Sequence, residues 1–198
     1  MGVNMGFDCV TVNVPCCGEY VSGDGVVIHE FDTGLLVVIL DVLGHGEQAA
    51  KTAREMEAFI EDICSTDVVW LMEKVHARFL STQGAAMTIV FFDRTTHTLH
   101  GVAIGNTLLR RCGEEWQSYF AQPGVVGELL PTLKMFSDTF KDGDTFLLTT
   151  DGIKENIDPE SCRSFQYHSL DSFTHFLTTN FDKAYDDSTV IAVRYYYD

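Results

Sequence analysis

Polar and apolar residues alternate from Val10 to Val14, an apolar-rich stretch runs from Gly25 to Phe31, and an unbroken apolar run follows from Leu35 to Leu40. This pattern predicts three strands, the last of them buried, with Asp32-Thr33-Gly34 as a hairpin-type connection between the second and third. The period then changes. Ala49, Ala53, Met56, Ile60 and Ile63 recur at spacings of four and three, which places them on one face of a helix. Val68, Met72, Val75 and Phe79 repeat that spacing in a second helix, for which Asp67 is the expected N-cap. After Gln83-Gly84 the strand pattern returns over Thr88–Asp93, Thr98–Ile104, Leu108–Arg111 and Trp116–Phe120. The Pro-, Gly- and Leu-rich stretch from Gln122 to Ser137 fits neither period and reads as an irregular flap. Asp142-Gly143 is a turn into the strand Thr145–Thr150. A last amphipathic helix, Leu170–Phe181, carries Phe173, Phe176 and Leu177 on one side, and Ser188–Tyr196 closes the chain as a strand.

Strands therefore come in blocks before and after a helical pair, without steady βαβ alternation. That order favours an α+β fold of antiparallel sheets covered by helices. Two sheets face to face between helix layers would use every amphipathic face; an open parallel sheet is the weaker alternative. With no repeat, low-complexity tract or Pro/Ser-rich linker, residues 1–198 read as one domain, long enough to bury roughly 70% of its unfolded surface.

A formal charge of −16 with only 13 Lys and Arg argues against nucleic acid or an anionic membrane as partner, because both require a basic footprint. Six cysteines without a C-x-x-C pair favour a reducing, cytoplasmic setting. Met1 to Phe7 shows no leader or targeting pattern, and Leu35–Leu40 is too short to span a bilayer. Chain length favours a monomer.

Most of the candidate chemistry sits where strands end or glycines turn the chain. Asp41 leaves the Val37–Leu40 run and precedes Val42-Leu43-Gly44-His45-Gly46; Asp151 leaves Phe146–Thr150 and precedes Gly152. Asp24 lies between Gly23 and Gly25, and Asp186-Asp187 stands before the closing strand. Such carboxylates, without paired histidines or cysteines, suit hard cations such as Mg²⁺ or Mn²⁺. Two divalent ions about 3.5–4 Å apart clamp a phosphate and lower the pKa of a bridging water, chemistry that needs no side-chain nucleophile. Consistently, the chain has no G-x-S-x-G elbow, Walker-type loop or H-E-x-x-H helix. Each motif alone is weak; their order and spacing carry the reading of a two-metal phosphate-ester hydrolase.

Ser22-Gly23-Asp24, Asp41 to Gly46, Gly105-Asn106, Pro123 to Gly127, Asp142-Gly143-Asp144, Thr150-Asp151-Gly152 with Glu155, and Asp186 to Thr189 together resemble the metal-dependent serine/threonine protein phosphatases of type 2C, in their bacterial sporulation and sigma-factor-regulator branch. The resemblance runs from about residue 20 onward. It implies a four-layer α-β-β-α sandwich, two Mn²⁺ or Mg²⁺ ions with a third left open, and direct attack of a bridging hydroxide on phosphorus. It also implies phosphorylated STAS-domain proteins of a stress-signalling complex as partners. Carried over by motif, Asp41 bridges the ions, the Val42 carbonyl ligates one, Asp151 and Asp186 hold the first, and Asp24 helps to hold the second through water. Asp187 is the alternative to Asp186. Asn106 stands where the family often has histidine, Leu129 to Phe136 departs from the family's pattern, and no arginine lies near the first acidic turn.

His45 has two readings, an acid that protonates the leaving serine oxygen or a packing residue at the strand end. Two other functions compete with a protein phosphatase: a non-catalytic scaffold of the same fold, and a hydrolase of another phosphate ester. The intact acid positions count against the scaffold.

Overall fold

The computed structural model describes residues 5–166 and 168–197. Residues 1–4 of the stretch inspected for a leader lie outside that range. Ten strands and four helices follow in the order β1 (Met5–Val14), β2 (Asp24–Phe31), β3 (Gly34–Val42), α1 (Gly46–Asp62), α2 (Val68–Arg78), β4 (Ala85–Asp93), β5 (Thr98–Ile104), β6 (Leu108–Cys112), β7 (Gln117–Ser118), β8 (Phe136–Thr139), β9 (Thr145–Thr149), α3 (Pro159–Gln166), α4 (Leu170–Phe181) and β10 (Ser188–Tyr197). They form two five-stranded sheets, β1-β10-β9-β6-β7 and β2-β3-β4-β5-β8. Every strand pairing in them is antiparallel, so the open parallel sheet is excluded.

The unbroken apolar run of β3 follows from its place in the middle of these layers. Successive side chains of a strand point to opposite faces. Val37 and Ile39 enter the core between the sheets with Val90, Phe92, Phe146, Leu148, Ile191 and Tyr195. Leu36, Val38 and Leu40 point the other way and pack beneath α1 and α2, against Ala49, Ala53, Met56, Ile60 and Met72. The opposite sheet is covered in the same manner, with Leu147, Val190 and Ala192 under Leu170, Phe173 and Leu177 of α4. The result is the four-layer α-β-β-α sandwich expected from the sequence. No helix among the described residues is long and apolar enough to cross a membrane.

The antiparallel order also gathers the acids at one end of the sandwich. Asp24 opens β2 directly opposite Asp41 near the close of β3. In the other sheet, β9 ends beside the beginning of β10, with Thr149 opposite Val190, so the chain leaves β9 into Asp151 next to the Asp186-Asp187 turn.

The differences from the predicted elements are local. β8 begins at the end of the unassigned flap, runs two residues past it and pairs with β5, whereas the Trp116–Phe120 strand shrinks to Gln117–Ser118. A short helix not predicted, α3, precedes α4.

Candidate active site

Asp41, Asp151 and Asp186 line one small pocket with Leu43, Gly44, Ala86 and Asn106, enclosing about 170 Å³. Asp41 is supplied by one sheet, and the other two acids come from loops of the second. A larger hollow of about 660 Å³ lies between the start of α2 and β8, but none of the predicted site residues lines it. The smaller pocket is the chemically equipped one.

Asp24 stands behind this pocket and is only 5% exposed. Its Oδ2 accepts a hydrogen bond from the Thr150 hydroxyl at 2.8 Å, whereas its Oδ1 is buried without a hydrogen-bond partner among the described residues. Burial pushes its pKa up to about 7, although the hydrogen bond from the Thr150 hydroxyl pulls in the opposite direction. Asp41 is driven up to about 8 by burial and then by the charges of Asp24, Asp151, Asp186 and Asp187. Asp151 is raised by burial and by Asp186, with Lys183 offsetting part of the shift. These carboxylates share one end of the sandwich and repel one another there.

The two aspartates of the final turn have different surroundings. Asp186 faces the pocket. Asp187 is 3% exposed, and both of its oxygens are engaged by backbone: Oδ1 accepts from Cys16 N–H at 2.8 Å and Oδ2 from Gly23 N–H at 2.7 Å. It fastens the loop before β2 to the loop before β10. Gly152 belongs to the same knot, because a Cβ there would lie 1.9 Å from the Asp187 carbonyl oxygen.

Val42 lies between the pocket residues Asp41 and Leu43, and its N–H donates to the Gly23 carbonyl at 3.1 Å. At Gly44 the backbone takes φ +93°, a conformation open to glycine at little cost, and so turns the chain from β3 into α1. His45 is the N-cap residue of α1 but makes no side-chain cap bond. Its ring is exposed, stands 3.0 Å from Glu19 through Nδ1, and is not among the residues lining the pocket. Asn106 donates to Asp151 Oδ2 at 2.6 Å.

Sequence reasoning assigned no role to three groups around the acids. Thr150 and Thr189 sit inside motifs that were recognised for their aspartates, and a hydroxyl beside a strand-end acid was the available signal. Glu19, the partner of His45, carried no such signal.

These residues fit a divalent cation. The acids offer only oxygen, a buried carboxylate oxygen of Asp24 lacks a donor, and mutual repulsion is the charge arrangement that a cation relieves. Among the described residues no three Asp, Glu, His or Cys side chains stand close enough together, as placed, to hold an ion by themselves.

The family model for stage II sporulation protein E (SpoIIE) matches residues 32–196. Phosphoserine phosphatase RsbX of Bacillus subtilis (strain 168) is 22% identical over 138 residues, 69% of each chain. A solved structure of RsbX in complex with magnesium superposes with a TM-score of 0.84 at 18% identity, covering 98% of this chain and 100% of that one. A chain from work on the bacterial stressosome, as a modular system adapted to control secondary messenger signalling, gives 0.87 at 22% identity, covering 96% and 100%. The match over most of the chain, on a fold shared with these structures, means that the chain belongs to the SpoIIE family of type 2C phosphatase domains.

Proposed function

We propose that this phosphatase removes phosphate from phosphoserine or phosphothreonine on STAS-domain regulators of a stress-signalling complex, with Mn²⁺ or Mg²⁺ as its cofactor. The observation that carries the reading is the pocket lining. Three carboxylates converge there, and the other lining residues, Leu43, Gly44, Ala86 and Asn106, include no side-chain nucleophile. Divalent ions, when bound, supply a water of lowered pKa and stabilise the charge that develops on the phosphate.

The chain's own residues divide the remaining work. Asp41, at the centre of the mutually repelling acids, would hold the divalent ions together with Asp24, Asp151, Asp186 and the Val42 carbonyl. Asp186, facing the pocket, is the better ligand; Asp187, with both oxygens engaged by backbone N–H groups, orients its neighbours. Asn106 fixes the Asp151 carboxylate by its 2.6 Å hydrogen bond. His45, paired with Glu19 outside the pocket, is assigned to hold the turn before α1 rather than to protonate the leaving oxygen.

RsbX carries the name phosphoserine phosphatase, and one structural relative belongs to work on the stressosome; these support the substrate class and the stress-signalling setting proposed here. Six free cysteines suit a reducing cytoplasm, and residues 1–198 are proposed to act as one monomeric domain. The test has two arms. With Mn²⁺ the protein should hydrolyse p-nitrophenyl phosphate and stop when chelator is added. Phosphorylated STAS-domain proteins should lose 80 Da, roughly one phosphate as HPO₃, by mass. Metal-independent silence in the first arm would return the scaffold reading.

A further inference from the structure

Large apolar side chains are held in solvent beside the acid pocket. Tyr20 is 97% exposed and Tyr185 75% exposed, while Leu43, part of the pocket wall, is 45% exposed. Their positions are tied together by backbone and side-chain contacts. Tyr185 immediately precedes Asp186, and the loop it belongs to accepts the Cys17 N–H at the Ala184 carbonyl, 2.8 Å away. Tyr20 follows Glu19, whose carboxylate meets His45, two residues from Leu43. Clustered exposed apolar side chains next to a functional pocket mark a contact surface, and tyrosine offers large area with little side-chain entropy to lose.

Charge identifies the partner. The chain carries −16, and beside this rim Asp41, Asp151 and Asp186 line the pocket with Glu47 and Glu155 exposed nearby, so the acids outnumber Lys154 and Lys183 of the same loops. A phosphoserine segment that was itself acidic would approach against this field. A segment with arginine or lysine beside the phosphoserine would be attracted, and its guanidinium groups can stack on tyrosine faces.

Resting on the phosphatase reading above, we propose that Tyr20, Leu43 and Tyr185 form the docking rim for the substrate segment and that this segment bears basic side chains next to the phosphoserine.

Two synthetic phosphoserine peptides, identical except for Arg/Lys or Glu/Asp flanks, test this beside p-nitrophenyl phosphate, all with Mn²⁺. In the wild-type protein kcat/KM for the basic peptide should exceed that for the acidic one by about tenfold and should fall as salt is raised. In the double variant Tyr20→Ala/Tyr185→Ala, the ratio of kcat/KM for the basic peptide to that for p-nitrophenyl phosphate should drop about tenfold, mostly through KM. Equal turnover of the two peptides, or an unchanged ratio in the double variant, overturns the rim while leaving the phosphatase reading in place. Wild-type silence toward all three phosphates overturns that reading and the rim with it.

Discussion

Asp24 and Asp41 face each other across β2 and β3 with pKa values raised to about 7 and about 8, against 3.8 for an ordinary aspartate. A carboxylate raised in the folded state stabilises the fold most below its unfolded pKa, and that contribution is lost as pH rises through the folded value. Without divalent ions, therefore, the melting temperature should fall between pH 4 and pH 8. Scanning calorimetry in chelator is the check; Asp41→Asn should flatten the slope, and a wild-type curve level across that window would contradict the buried repulsion. Asp187 invites a different test. Its replacement by alanine leaves the Cys16 and Gly23 N–H groups buried without their acceptor, at a cost of about 1–3 kcal/mol each. Urea titration of Asp187→Ala should show that loss. Full stability would mean that the two loops do not depend on this carboxylate. The aspartate pair illustrates the limit of reading residues in order: Asp186 and Asp187 are adjacent in sequence and equivalent as chemistry, and only the backbone donors around the second separate them.

At the level of elements, the strands and helices with a clear period were legible because each has one face against a core. α1 buries Ala49, Ala53, Met56 and Ile60 as its spacing requires, and Asp67 accepts from Trp70 N–H at the start of α2 at 2.9 Å. Periodicity failed where elements are short or peripheral. β8 has four residues at a sheet edge with alternating partial exposure, and its pairing with β5 depends on a partner far away in sequence. α3 is eight residues of largely polar character, and among its described side chains Cys162 joins the core under that sheet. The loops holding the acids were legible as motifs, whereas the knot that fixes them was not, since the partners of its Asp187 carboxylate are backbone N–H groups. The cap of α2 separates stability from chemistry. Asp67→Ala should lower stability by about 1 kcal/mol in urea while leaving turnover of p-nitrophenyl phosphate with Mn²⁺ at the wild-type level, because Asp67 belongs to the other hollow. Loss of turnover at unchanged stability would require a connection from α2 to the pocket that the packing does not provide.

The two sheets of the whole molecule are joined across their common core and also at both ends, by different means. At the end away from the acids, the Tyr119 hydroxyl donates to Asp138 at 2.8 Å and Arg111 lies 3.7 Å from the same carboxylate, which links the β6–β7 side to β8. At the acid end, Asp24 and Asp41 come from one sheet, and Asp151 and Asp186 flank strands of the other. Without a cation these groups repel one another across the seam, and on the reading proposed above a bound cation would draw them together. Binding to the folded form alone stabilises it by mass action, about 2.7 kcal/mol when the ion stands at a hundred times its dissociation constant. Mn²⁺ added to chelated protein should therefore raise the melting temperature, and Asp41→Asn and Asp151→Asn should each abolish the rise although they sit on opposite sheets. Asp138→Ala serves as the contrast: it should lower the melting temperature through the distant clasp and leave the Mn²⁺-induced rise intact. An Asp41→Asn protein that still gained full stability from Mn²⁺ would show that the ion is held by one sheet alone, and the acid end would then be no bridge between them.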